Sequence, residues 1–311
     1  MKEKKDIIKV DMIRVAGDAA PFILVAYVDK DANEHQGVML IDSGSGQNIL
    51  SCEMTNQLAP LCKREGETSS ITTVSSDVVT MNKVNFSFVM GGKQFHEVFC
   101  ISGNVLPVRK LGNFPVVGVL GNYFLLKHGL VIDFSDYTLH TSTITEDNFS
   151  ISDCEFFFPM EKGMKYFGLP IVLLSNSEEA ALAIADTGAS HNQIASLTID
   201  ELGMDCNYLG EKDLVEGIGG SIEAEEAHVK FNLGSLTEDG GVEIPCQEPF
   251  KVSPNFFLTP KEGHCDENGE QLPPLEALIG SPFMAREKWV LDFDTLIIYK
   301  LREKNKLWKA V

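Results

Sequence analysis

Apolar residues recur along the chain in short blocks separated by turn residues, and few stretches carry a helical period. Phe22 to Val28, Val38 to Ile41, Val84 to Met90, Leu130 to Phe134 and Val290 to Tyr299 are rich in Val, Ile, Leu and Phe. β-branched and aromatic side chains fit a pleated, half-buried surface, so these blocks predict strands. In the third block Asn85 and Ser87 alternate with apolar neighbours, the period-two pattern of a strand with one face in a core. The helical candidates are short: Asn48 to Leu58, Tyr123 to Lys127, and Leu197 to Leu202 ahead of Gly203. The pattern predicts an all-β protein with a few short helices.

The blocks also repeat. PFILVAYVDKDANEHQGVMLIDSGS ends at Ser45, and LPIVLLSNSEEAALAIADTGA ends at Ala189. Each reads as a strand, a polar turn, a second apolar strand, and then Asp-Ser/Thr-Gly. Asp42 and Asp186 are 144 residues apart. Further on, VLGNYFLLKHGLVIDF matches LIGSPFMAREKWVLDF, which pairs Gly121 with Gly280 and Asp133 with Asp292 at an offset of 159. The stretch from His140 to Gly163 fits neither copy. The repeat predicts two related β-barrel-like lobes, residues 1–145 and 164–311, joined by a linker over 146–163.

Charge and cysteine usage narrow the function classes. Lys plus Arg total 26 against 45 Asp plus Glu, a formal net charge of −19. Such a surface repels phosphate backbones and anionic lipid, so neither nucleic acid nor a membrane is an expected partner. The N-terminal MKEKKDIIKVDMIRV has no apolar core of the kind a secretory signal needs. The richest apolar stretch, Phe114 to Leu126, is stopped by Lys127 and His128 and is too short to span a bilayer. Seven scattered cysteines, an odd number, read as free thiols of a reducing cytoplasm. An exported chain that has lost its leader gives the same pattern.

Asp42-Ser43-Gly44 and Asp186-Thr187-Gly188 carry the candidate chemistry. One such tripeptide alone is an ordinary acidic turn. Here each follows an apolar strand end, Met39-Leu40-Ile41 or Ala183-Ile184-Ala185. Each is followed by two apolar residues and a glycine, Val119-Leu120-Gly121 and Leu278-Ile279-Gly280. Two carboxyls brought about 3 Å apart cannot both ionise easily, so they share one proton and can act on a water as base and acid together. One lobe supplies one such carboxyl, and the repeat supplies the second.

On these residues the chain resembles the aspartic protease superfamily, and most closely its retropepsin-like branch. Both copies lie on one chain, as in pepsin-like enzymes. The resemblance covers most of residues 20–140 and 165–300. It implies the acid protease fold and an aspartic endopeptidase with Asp42 and Asp186 as the catalytic dyad. It also implies a peptide or protein substrate, no metal or organic cofactor, and a monomer. In the family the Ser/Thr hydroxyl is hydrogen-bonded across the lobe interface, a role that falls to Ser43 and Thr187. Gly44 and Gly188 would let the backbone turn tightly and approach the opposite lobe, and Gly121 and Gly280 would pack beneath the active loops. The family's covering β-hairpin, or flap, matches GIGGSIEAEEAHVKFNLG, with its tip at Gly219-Gly220; the same distance after Asp42 reaches Ser75-Ser76. The first tip has no glycine, and neither carries the tyrosine that pepsin-like enzymes use there. Two rival readings stay open: a peptide-binding protein of the same fold that cuts slowly or not at all, and a structural or dimerisation domain.

Other polar residues read as structural. His191 sits just past the second motif and reads as a turn histidine. His264-Cys265, Cys246 and Cys206 lack the spacing of a zinc site. No serine sits in a nucleophile elbow. Glu223, Glu225 and Glu226 read as a solvated strand face, able to favour basic peptides if it borders a flap.

Overall fold

The computed structural model describes residues 7–15, 18–29, 31–51, 54, 63–72, 78–102, 110–144, 149–160, 168–176, 179–217, 220–234, 244–254 and 273–302. Strands form where the apolar blocks alternate. In Val78–Met90, Phe86, Phe88 and Met90 are buried while Asn85, Ser87 and Val89 keep contact with solvent.

Two closed six-stranded barrels result, and they have the same strand order. The first runs Asp18–Val28, Glu34–Asp42, Phe114–Gly121, Ile49–Ser51, Lys93–Ser102, Val78–Met90. It closes where Ala26 and Tyr27 pair with Val89 and Phe88. The second runs Ile171–Asn176, Glu179–Asp186, Leu275–Gly280, Asn192–Ala195, Ile244–Ser253, Gly220–Gly234, and closes where Leu173 to Ser175 pair with Gly234 to Asn232. Closure satisfies the backbone of the strands at both ends of the order. The repeat in the sequence is therefore a repeat of the fold.

A third sheet of six strands joins the lobes, in the order Lys9–Asp11, Thr138–Thr141, Leu130–Asp133, Val290–Asp292, Ile297–Leu301, Cys154–Pro159. At its centre Val131, Ile132 and Asp133 pair with Asp292, Leu291 and Val290. Leu130, Ile132, Leu139, Leu291 and Ile298 are fully buried in the main core. The segment between the two copies thus contributes a strand of its own, Cys154–Pro159, which pairs with Ile297–Leu301.

Two local readings of the sequence are corrected. Asn48 to Leu58 is not a continuous helix. Ile49–Ser51 is a barrel strand with Ile49 and Leu50 buried between Phe114–Gly121 and Lys93–Ser102; residues 55–62 lie outside the described residues. Val290 to Tyr299 is two strands, because Asp292 folds the chain back. Its Oδ1 accepts from Asp294 N–H (2.8 Å) and Thr295 N–H (3.0 Å). Asp133 does the same for Ser135 (2.8 Å) and Asp136 (3.2 Å). A short side chain that bonds its own backbone two residues on makes a turn that strand propensity alone does not foresee.

Among the described residues, Asn122–His128, Ser196–Glu201 and Ser281–Arg286 are α-helices, and Ile151–Asp153 is a single 3-10 turn. The first and third follow Gly121 and Gly280, and each is braced to its barrel by an ion pair at matching positions. Lys127 and His128 hold Glu97 at 2.8 and 2.7 Å, and Arg286 holds Glu248 at 2.6 Å. Burial alone would raise the Glu97 carboxyl, but hydrogen bonds from His128 and Lys127 outweigh it and hold Glu97 below the ordinary glutamate range.

Each barrel also projects a hairpin. Lys63–Thr72 pairs with Val78–Met90 as far as Thr72 opposite Val78. Cys206–Gly217 pairs with Gly220–Gly234 as far as Gly217 opposite Gly220. The flap candidates Ser75, Ser76 and Gly219 lie outside the described residues, while Gly220 opens the returning strand. Among the described residues no helix is long and apolar enough to cross a membrane.

Candidate active site

Glu34–Asp42 and Glu179–Asp186 leave their barrels at equivalent points, each with a buried run ahead of the aspartate. Each turns at once because its carboxylate caps the following backbone. Asp42 Oδ1 accepts from Gly44 N–H (2.9 Å) and Ser45 N–H (2.8 Å), and Asp186 Oδ1 accepts from Gly188 N–H (2.8 Å).

The two loops are locked to each other by a reciprocal set of hydrogen bonds. Ser43 N–H donates to Thr187 Oγ1 (3.0 Å), and Thr187 N–H donates to Ser43 Oγ (3.0 Å). Ser43 O–H donates to the Ala185 carbonyl (2.5 Å), and Thr187 O–H donates to the Ile41 carbonyl (2.7 Å). Both residues are fully buried, so each hydroxyl is donor and acceptor with no water to replace it. Ser43→Ala and Thr187→Ala should each cost roughly 1–2 kcal/mol. Denaturant midpoints equal to the parent's for both variants would refute this role.

Gly44 and Gly188 bring the carboxyls together. A Cβ on Gly44 would sit 2.5 Å from Asp186 Oδ2, and one on Gly188 would sit 2.6 Å from Asp42 Oδ2. Each carboxylate therefore rests on the glycine of the opposite loop. Neither glycine has a left-handed φ, so space is what demands glycine here. The carboxyls of Asp42 and Asp186 lie in hydrogen-bonding contact. Each aspartate is half-buried. Burial and the adjacent Asp186 charge push the Asp42 carboxyl well above the ordinary aspartate range. Burial also raises Asp186, against the hydrogen bonds it receives from Asp42 and from the backbone of Gly188, Ala189 and Gly44. Two carboxyls so placed resist a second charge.

The strands beneath continue the symmetry. Gly121 pairs in register with Asp42, and Gly280 with Asp186, across parallel strands. A Cβ on Gly121 would lie 2.6 Å from the Ser45 carbonyl, and one on Gly280 would lie 2.9 Å from that of Ala189. The following residues tie the loops down from below: Asn122 N–H donates to the Ser45 carbonyl (2.6 Å) and Ser281 N–H to that of Ala189 (2.9 Å).

Asn48 and Asn192 were missed by sequence reasoning. Asn48 Oδ1 accepts from Gly121 N–H (3.0 Å) and Asn192 Oδ1 from Gly280 N–H (2.9 Å). Their Nδ2 groups donate to the Val98 (3.2 Å) and Pro249 (3.1 Å) carbonyls. The signal was present: both stand six residues past an aspartate, at the same offset of 144.

Ile222 of the hairpin and Ala189 of the second loop both pack against a buried cluster that includes Ile171, Leu182, Ile184 and Leu278. His191 is partly exposed, with Nδ1 3.3 Å from Ser190 Oγ. Of the acidic run, Glu223 pairs with Lys212 (2.9 Å) and Glu226 with Lys251 (3.1 Å). Cys100, Cys154, Cys206 and Cys246 are free thiols. His264 and Cys265 lie outside the described residues, among which no group of three metal-ligating side chains gathers. No family model matches the chain, and no curated protein matches it at a significant level.

Proposed function

We propose that this protein is a single-chain aspartic endopeptidase acting on peptides or proteins, and that it works as a monomer because one chain supplies both carboxyls. The observation that carries the reading is the crossed packing of each aspartate on the opposite loop's glycine, which sets the two carboxyls side by side; in the proposed enzyme they share one proton. In the proposed reaction the ionised carboxylate takes a proton from a water held between the pair. The protonated carboxyl donates its hydrogen bond to the scissile carbonyl oxygen. A C–O bond forms to the water oxygen as the carbonyl π bond opens, and the carbonyl oxygen takes the protonated carboxyl's proton, which gives a tetrahedral diol. The nitrogen then takes the proton that the pair removed from water, the C–N bond breaks as a diol hydroxyl gives its proton back to the pair, and amine and acid leave with one proton again on the pair. Water is the only co-reactant.

The test is incubation with a diverse peptide library read by mass spectrometry, across pH 3 to 8. The expected result is cleavage with a bell-shaped pH dependence, whose limbs report the two ionisations of the coupled pair. A peptide carrying a hydroxymethylene group in place of the cleaved amide should inhibit, since it imitates the tetrahedral species. Binding of peptides without cleavage at any pH would replace this reading by that of a peptide-binding protein.

A further inference from the structure

We infer that Asn48 and Asn192 are positioning residues that fix the separation of the two aspartate carboxyls; the catalytic consequence rests on the peptidase reading, whereas the geometric one does not. Each loop from aspartate to asparagine is seven residues long and is held at both ends. At the first end stands the crossed Ser43–Thr187 set of hydrogen bonds. At the far end a buried amide adds to the backbone pairing of the strand that follows. Asn192, 6% exposed, joins the loop to Gly280 through Oδ1 and to Ile244–Ser253 through Nδ2. Asn48, 2% exposed, joins its loop to Gly121 and to Lys93–Ser102 in the same way.

The amide is suited to this place because a single planar group supplies an acceptor and a donor at once. Its acceptor meets the N–H of the very glycine that lies in register with the aspartate. That glycine already carries the loop's middle on its open side, against the Ser45 and Ala189 carbonyls. With the asparagine side chain removed, the glycine N–H loses its buried partner and the end of the loop keeps only its backbone bonds, such as Cys100 N–H to the Asn48 carbonyl (2.8 Å). The crossed hydroxyl bonds still hold Ser43 and Thr187, so the lobes stay together while the loop beyond them relaxes. The carboxyls then part, and the proton they share is held less tightly in common.

The experiment compares the parent, Asn48→Ala and Asn192→Ala with Phe158→Leu, a destabilised control in the shared sheet far in sequence from either loop. Each chain is prepared with 13C at the aspartate Cγ atoms, and the carboxyl resonances are followed from pH 3 to 8. Asp42→Asn identifies the pair's signals. The parent should show two well-separated steps. In both asparagine variants the steps should converge by about one pH unit or more, and the control should keep the parent's separation. Where the parent cleaves a peptide, kcat in the variants should fall about a hundredfold, since a displacement near 1 Å at a reacting group costs that much, with KM changed less than about threefold. Titration steps and kcat equal to the parent's, with only a lowered denaturant midpoint, would overturn the inference and leave the asparagines as ordinary structural residues. A parent that cleaves nothing would remove the peptidase reading, and the carboxyl titration would still decide the positioning role.

Discussion

Asp186→Asn is expected to lower kcat/KM for a cleaved peptide by about a thousandfold or more. Asparagine keeps the size of aspartate and can still accept from Gly188 N–H, so the loop should hold its shape. What is lost is the exchange of roles, because an amide can neither take the water's proton nor return it. Asp42→Asn should cost about as much, and the double variant little more, since the two groups act as a unit. All four proteins would be assayed on one peptide across pH 3 to 8. Retention of most activity in Asp186→Asn would remove the peptidase reading.

The same substitutions carry a stability prediction of opposite sign. Burial and the Asp186 charge hold Asp42 above its unfolded value, so the folded state binds the shared proton more tightly than the unfolded chain does. That contribution is complete below the unfolded carboxylate range and is lost as pH rises through the folded titration. At neutral pH the pair therefore destabilises the fold. Asp42→Asn should stabilise the protein there by about 0.5–2 kcal/mol, with a smaller gain near pH 4. Denaturant midpoints at the two pH values measure this, and a gain that grows toward acid pH would contradict it.

Gly44→Ala and Gly188→Ala are expected to be as damaging as loss of a carboxyl, for a steric reason. The new methyl would stand 2.5 Å from Asp186 Oδ2 or 2.6 Å from Asp42 Oδ2, well inside van der Waals contact. The carboxylate cannot yield freely, because its other oxygen is bound to its own loop. Overpacking of this kind costs about 1–3 kcal/mol, and the displaced carboxyl should lose about a hundredfold or more in kcat. Gly46→Ala is the matched control, since a Cβ there meets nothing within 4 Å. Parent-like activity in Gly44→Ala and Gly188→Ala would mean that the crossed packing is not needed.

Much of this was already written in the sequence. Period-two blocks such as Val84 to Met90 determined strands, because alternate side chains of a strand point to opposite faces. The two Asp-Ser/Thr-Gly copies and the paired Gly121 and Gly280 determined two like lobes and named the residues that would meet. Tertiary structure alone decided three further things. It made a strand of Ile49–Ser51, whose apolar run suits helix or strand equally until neighbours on both sides claim its backbone. It made Gly44 and Gly188 matters of space rather than of backbone angle, since each one's constraint is a carboxylate more than 140 residues away in the chain. It also gave Asn48 and Asn192 their places beneath the loops. Local preferences act over a few neighbouring residues, whereas burial, charge coupling and crossed hydrogen bonds exist only when distant segments are folded against each other.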